Sequence, residues 1–289
     1  MGSRANLQKG PKGRKGRKGR KGRQGRKGRK GRVAVGVVAG LVVALVGAAA
    51  GVWYFVIRTP TTKINLAAAL QIFKGDRAGG AGGGLPPPGV YRYSTSGDEH
   101  LSLAGISRAF PSSSDMVVTD SGRCATMKWW PLVQHMEGIV LCRQANGSRT
   151  ISSTPSYEDI AGISSTSVIR CPPATYLVPP DPKIGEVWRD TCHSSASPPQ
   201  PVVFTGRVLG IADVAVGGHE VPALHVGLTL SFSGSETGKN PNSYWISLDD
   251  GLILRQREMV AVSQSAGPLG SVLYSEKMRI TLRSLVPTR

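Results

Sequence analysis

Hydrophobic positions follow two different patterns along the chain, and each predicts a different kind of element. From Val33 to Ile57 runs an uncharged stretch, VAVGVVAGLVVALVGAAAGVWYFVI, bracketed by Arg32 and Arg58. As a helix its 25 residues rise about 37 Å, enough to cross a hydrocarbon layer of about 30 Å with some tilt. After Val90 no stretch keeps a helical period. Short β-branched and aromatic runs recur instead between Gly, Pro, Asn and Asp. The clearest alternates Leu224, Val226, Leu228, Leu230 and Phe232 with His225, Gly227, Thr229 and Ser231, the pattern of a strand buried on one face.

Further strands are predicted at Val90–Tyr93, Met116–Val118, Gly138–Cys142, Ser167–Cys171 and Val202–Phe204. The last hundred residues read as an antiparallel meander over 202–216, 221–232, 243–248, 252–262 and 272–285. Asn146-Gly147 and Gly217-Gly218 supply the positive φ of tight hairpins, and Asp249-Asp250-Gly251 a bulged one. The expected fold class is a mainly β extracytoplasmic domain, an antiparallel curved sheet forming a half-barrel, barrel or sandwich. It follows one transmembrane helix and a disordered basic tail.

Between span and sheet, Pro60–Phe73 predicts a short helix capped by Thr59, against the membrane or continuing a stalk. The sequence GDRAGGAGGGLPPPG (75–89) then reads as a flexible tether. The expected organisation is a tail over 1–32, a span over 33–57, a juxtamembrane segment and linker over 58–89, and a β-rich domain over 90–286.

Charge sets the orientation. The whole chain carries +18, yet residues 1–32 hold 15 basic side chains and no acidic one, leaving 21 basic against 18 acidic in the rest. That distribution excludes a uniformly basic nucleic-acid-binding domain. The tail's Gly-x-y spacing matches collagen, but about seven triplets with one proline cannot form a triple helix, and the composition is that of a disordered segment. Anionic lipid headgroups are its expected partner through residues 4–32; nucleic acid enters only non-specifically, by phosphate neutralisation. The positive-inside rule places the tail in the cytoplasm and the rest outside a plasma membrane. Ala48-Ala49-Ala50 has the small residues of a signal-peptide cleavage site, but the apolar run continues past it and favours an uncleaved anchor. Within the span Gly36, Gly40, Ala44, Gly47 and Gly51 share a sector of about 80°, a face suited to homodimer contact in the bilayer.

All four cysteines, Cys124, Cys142, Cys171 and Cys192, follow the span, as expected of two disulfides on an oxidising side. Three pairings exist, of which the sequential one is simplest. No CxxC or other zinc spacing occurs, and no cofactor or metal is expected. His219 and His225 are six apart with Pro222 between, which fails the metalloprotease spacing, and Gly234–Gly238 has no following helix to make a nucleophile elbow. Asp98, Glu99, Glu137, Glu158, Asp159, Asp213, Asp249 and Asp250 fall mostly near expected turns and form no recognisable acid–base pair. No catalytic residue is assigned. Trp129, Trp130 and Trp245 are large apolar groups in an aromatic-poor domain, and are the expected ligand-binding residues.

The stretch Tyr244-Trp245-Ile246-Ser247-Leu248-Asp249-Asp250-Gly251-Leu252-Ile253-Leu254-Arg255 resembles the strand–turn–strand of LolA-type and LppX-type envelope carriers. The layout resembles that of uncharacterised actinobacterial envelope proteins. The carrier resemblance implies an incomplete, curved sheet over helices and an apolar or envelope-protein ligand, with Trp245 the one transferable position. The chain departs from those carriers in keeping its span, lacking a lipobox cysteine and showing no helices to close a groove. The leading functional expectation is a single-pass envelope protein whose outer domain binds a ligand or protein partner without catalysis. A lipid carrier or sensor comes second, and an envelope enzyme acting on glycan or peptide third.

Overall fold

The computed structural model describes residues 61–76, 84–102, 105–160, 163–195, 199–265 and 270–289. The basic tail, the span and its glycine face (Gly36, Gly40, Ala44, Gly47 and Gly51) lie outside these residues, as do residues 77–83 of the tether. Among the described residues no helix is long and apolar enough to cross a membrane.

One helix and thirteen strands are described: α1 (Leu66–Asp76), β1 (Gly89–Leu101), β2 (Ile106–Ala109), β3 (Ser113–Asp120), β4 (Cys124–Leu132), β5 (His135–Arg143), β6 (Arg149–Ile160), β7 (Ile163–Val178), β8 (Val187–Ser194), β9 (Pro201–Val216), β10 (His219–Phe232), β11 (Glu236–Ser247), β12 (Ile253–Ser265) and β13 (Ser271–Leu282). From β3 to β13 each strand pairs with the next, and β13 returns to pair with β1. Residues 98–101 of β1 pair with both β2 and β13, so these neighbours occupy opposite edges; β3 takes the remaining length of the β2 edge through residues 89–94. The sheet is therefore ring-like. The expected mainly antiparallel β class holds, and the C-terminal meander forms as β9 to β13. The open sheet implied by the carrier resemblance differs from this, because the β1–β13 ladder joins its two ends.

Strand alternation fills the ring. Tyr91, Tyr93, Thr95 and Glu99 are buried along β1 while Arg92, Ser94, Ser96 and Asp98 are exposed. On β10 the burial follows the expected period from Leu224 to Leu230. The main apolar cluster draws on most of the sheet and includes Tyr93, Met127, Leu141, Phe204, Leu224 and Ile280. At full burial each such side chain contributes roughly 1.5–3 kcal/mol.

A second, smaller cluster lies on the opposite face. Ile64, Ala69 and Phe73 pack with Val90, Val117 and Trp130, so α1 rides on β1 and β3 and does not continue a stalk. The helix also begins later than the Thr59 cap predicts. Asn65 Oδ1 accepts from the Ala68 amide at 2.9 Å, the bond of an N-cap, and Lys128 pairs with Asp76 at 2.6 Å near the other end.

Both disulfides take the sequential pairing, Cys124–Cys142 and Cys171–Cys192. Cys124 and Cys142 are directly opposite in the β4–β5 ladder. Trp188 lies across from Gly206, and a Cβ at Gly206 would fall inside the indole. In the β11–β12 turn Gly251 holds φ +79° beneath Arg149, whose guanidinium donates to the carbonyls of Leu248 (3.1 Å) and Asp249 (2.9 Å).

Candidate functional site

Inside the ring lies a cavity of about 300 Å³ whose lining comes from every strand except β2. Its composition is set by the period of two. Met116 on β3, Met127 and Trp129 on β4, Ile139 on β5, Phe204 on β9 and Leu228 on β10 form an apolar wall. Further along, the same inward positions turn polar: Glu137 on β5, Glu158 on β6, Asn240, Asn242 and Tyr244 on β11, Gln256 and Glu258 on β12, Tyr274 on β13. The enclosure is thus amphipathic, with acidic and amide groups set among apolar side chains.

Register explains the acidic part. Glu99 and Glu276 are direct cross-strand partners between β1 and β13, and His135 faces Glu158 between β5 and β6. Two carboxylates placed as Glu99 and Glu276 are repel each other. Neutralisation comes partly from Arg108, which the short β2 sets opposite Glu99 with its Nε 2.6 Å from Oε1. The other Glu99 oxygen lies 3.0 Å from His135 Nδ1. Burial pushes the Glu99 carboxyl up, but the His135 hydrogen bond, the His135 charge and Arg108 outweigh it and hold the group below the usual carboxylate range.

The remaining acids move the other way. Burial pushes Glu158 up to about 7. Burial, then the neighbouring Glu137 charge, raises Glu258 and Glu276 well above their ordinary value. For His135 burial disfavours the charged ring, but Glu276, Glu137 and Glu99 together raise its pKa well above that of a free imidazole. Amide donors ring Glu258: Asn240 Nδ2 reaches Oε1 at 2.6 Å and Gln256 Nε2 reaches Oε2 at 2.9 Å. The arrangement presents carboxyl groups as both proton donors and acceptors to whatever enters beside the apolar wall.

The three tryptophans predicted to bind ligand are not brought together. Trp129 lines the cavity, donates from Nε1 to Ser114 Oγ at 2.6 Å, and meets Phe110 and His135 edge to face at 5.5 and 5.7 Å. Trp130 faces away, against the α1 cluster. Trp245, the position carried by the resemblance, is not in the lining; it stacks on His225 at 4.1 Å, with Arg255 and Arg257 each 5.4 Å from its ring. Glu99, Glu137 and Glu158 lie on strands, each two residues from the strand end and so near a turn as expected. Arg108, His135, Glu258 and Glu276 carry no sequence motif, because their strands are scattered and only ring closure assembles them.

No family model and no curated protein matches the chain. Among solved structures it is similar to the crystal structure of the hypothetical lipoprotein YmcC from Escherichia coli, at 13% identity and a TM-score of 0.33, over 78% of this chain and 91% of that one.

Proposed function

We propose that the β-rich unit is a non-enzymatic binding protein that encloses a small amphipathic molecule within its ring. The apolar part of that molecule rests on Met116, Met127, Trp129, Ile139, Phe204 and Leu228, and its polar end meets Glu137, Glu158 and Glu258. One observation carries the reading: an interior volume of about 300 Å³ is lined both by apolar side chains and by the carboxyls of Glu137, Glu158 and Glu258. Pockets that are mostly apolar with a few convergent polar groups are the usual form of small-ligand sites.

In this proposal residues 33–57 hold the protein in the plasma membrane with the basic tail on the cytoplasmic side. Charge asymmetry about the span supports that topology, and both disulfides suit the oxidising side. A lipid or lipid-like molecule drawn from the adjacent bilayer is the natural occupant.

Native mass spectrometry of the full-length chain released from nanodiscs tests the reading. A retained adduct of one small molecule per chain, lost on delipidation and regained on adding back the extracted lipid, is the expected result. Absence of any adduct and of uptake contradicts it.

A further inference from the structure

We propose that His135, Glu276 and Glu137 form a binding site for one divalent first-row transition-metal cation at the acidic end of the cavity. Glu99 positions the imidazole. His135 is fully buried, yet its Nε2 has no hydrogen-bond partner among the described residues; Glu276 is also buried, and its Oε1 likewise has none. What Nε2 faces is carboxylate: Glu137 Oε1 at 3.7 Å and Glu276 Oε2 at 3.9 Å.

Those separations are too long for hydrogen bonds, which cluster near 2.7–3.2 Å. They are close to the spacing of two donor atoms sharing a metal, about 3.4 Å apart when each sits about 2.0–2.1 Å from a tetrahedral ion. Glu137, whose side chain is 26% exposed, is the more accessible of the two carboxylates facing Nε2.

Donor atoms of Glu99, His135 and Glu276 all lie within 4.8 Å of one another, but Glu99 is already engaged. One of its oxygens contacts Arg108; the other accepts from His135 Nδ1 and lies 3.1 Å from the Tyr274 hydroxyl. The Glu99 carboxylate holding Nδ1–H orients the ring with Nε2 toward Glu137 and Glu276, the orienting arrangement found behind metal-bound histidines, and a bound cation would take the place of the Nε2 proton. One imidazole with carboxylates and water suits zinc, cobalt, manganese or iron(II) better than calcium. Glu137 lines the cavity and Glu276 does not, so the ion reaches the buried pair from the cavity side.

This site does not depend on the amphipathic ligand: a chain that takes up no lipid can still bind metal, so each idea fails by its own measurement. The test uses untagged, full-length protein stripped with chelator and titrated with Co²⁺. Expected are one equivalent bound by elemental analysis, visible d–d absorption, and displacement by Zn²⁺. Glu137→Gln, at a partly exposed position, should weaken binding at least tenfold, and Glu99→Gln by about 10–100-fold through the loosened imidazole. His135→Gln should abolish the absorption where circular dichroism shows the sheet intact. Should that variant not fold, imidazole hyperfine coupling in the wild-type Cu²⁺ or Mn²⁺ complex supplies the same information. No stoichiometric binding, binding unchanged in Glu137→Gln and Glu99→Gln, or uptake of alkylammonium ions without Co²⁺ would each overturn the proposal.

Discussion

Glu99 and Glu276 stand directly opposite in the β1–β13 ladder and share the hydroxyl of Tyr274, which lies 3.1 Å from one carboxyl and 2.7 Å from the other. One hydroxyl has one proton. Its nearer acceptor is Glu276 Oε2; burial raises the Glu276 pKa, while His135 and Arg108 hold that of Glu99 down. Ring closure thus brings two acids together and shifts their pKa values in opposite directions.

Arg108 is the counterion of the ionised member of that pair. Arg108→Met should destabilise the protein by about 3–5 kcal/mol, the cost of leaving a buried charge uncompensated. Adding Glu99→Gln should recover much of the loss. Chemical denaturation of the single and double variants checks both expectations.

Stability of metal-stripped protein should depend on pH in a stated direction. Glu158 has its pKa raised from 4.5 to about 7, so the folded state holds a proton that the unfolded state releases. Its contribution is complete below pH 4.5 and is lost as the pH rises through 7, at a slope of no more than about 1.4 kcal/mol per pH unit. Glu258 and Glu276, whose pKa values are also raised, act in the same direction. Glu99, with its pKa lowered, acts oppositely and loses its contribution at acid pH. Glu158→Gln should flatten the fall between pH 4.5 and 7 in urea melts.

The disulfides close loops with separations of 18 and 21 residues. Each should contribute about 3 kcal/mol by restricting the unfolded chain. A Cys171→Ser/Cys192→Ser variant should lower the unfolding free energy by that amount in chemical denaturation, and reductant should produce no further change at that bridge.

Much of the fold was legible where the inner face is apolar. Leu224 to Phe232 announce β10 because inward positions are Leu, Val and Phe and outward ones are not. The first half of β11 hides for the converse reason: its inward Asn240 and Asn242 alternate with Lys239 and Pro241, so no hydrophobic period exists to detect. His135, Glu137 and Glu258 were invisible on the same ground. A polar interior reverses the signal that sequence patterns rely on. The partnership of Glu99 with Glu276 is beyond local reading altogether, since it links the first and last strands. For α1 the helix was legible but its start was not, because Asn65 competes with Thr59 as a cap and only packing of Ala69 and Phe73 on the sheet decides between them.

Gly206 offers a packing test away from the cavity. Trp188 covers its Cα face and donates from Nε1 to the Tyr176 carbonyl at 3.0 Å. Gly206→Val should displace the indole and cost about 1–3 kcal/mol by overpacking, read as a lowered denaturation midpoint with a blue-to-red shift in tryptophan emission.

Occupancy of the interior is tested most directly by titrating full-length protein with an environment-sensitive fatty-acyl probe, alongside Thr154→Trp. Thr154 is half-buried on the cavity lining, so an indole there fills the space with little threat to folding. Saturable binding of one probe per wild-type chain, weakened at least tenfold in a folded Thr154→Trp protein, is the predicted result. Equal binding by the two proteins, or none by wild type, contradicts a ligand held within the ring.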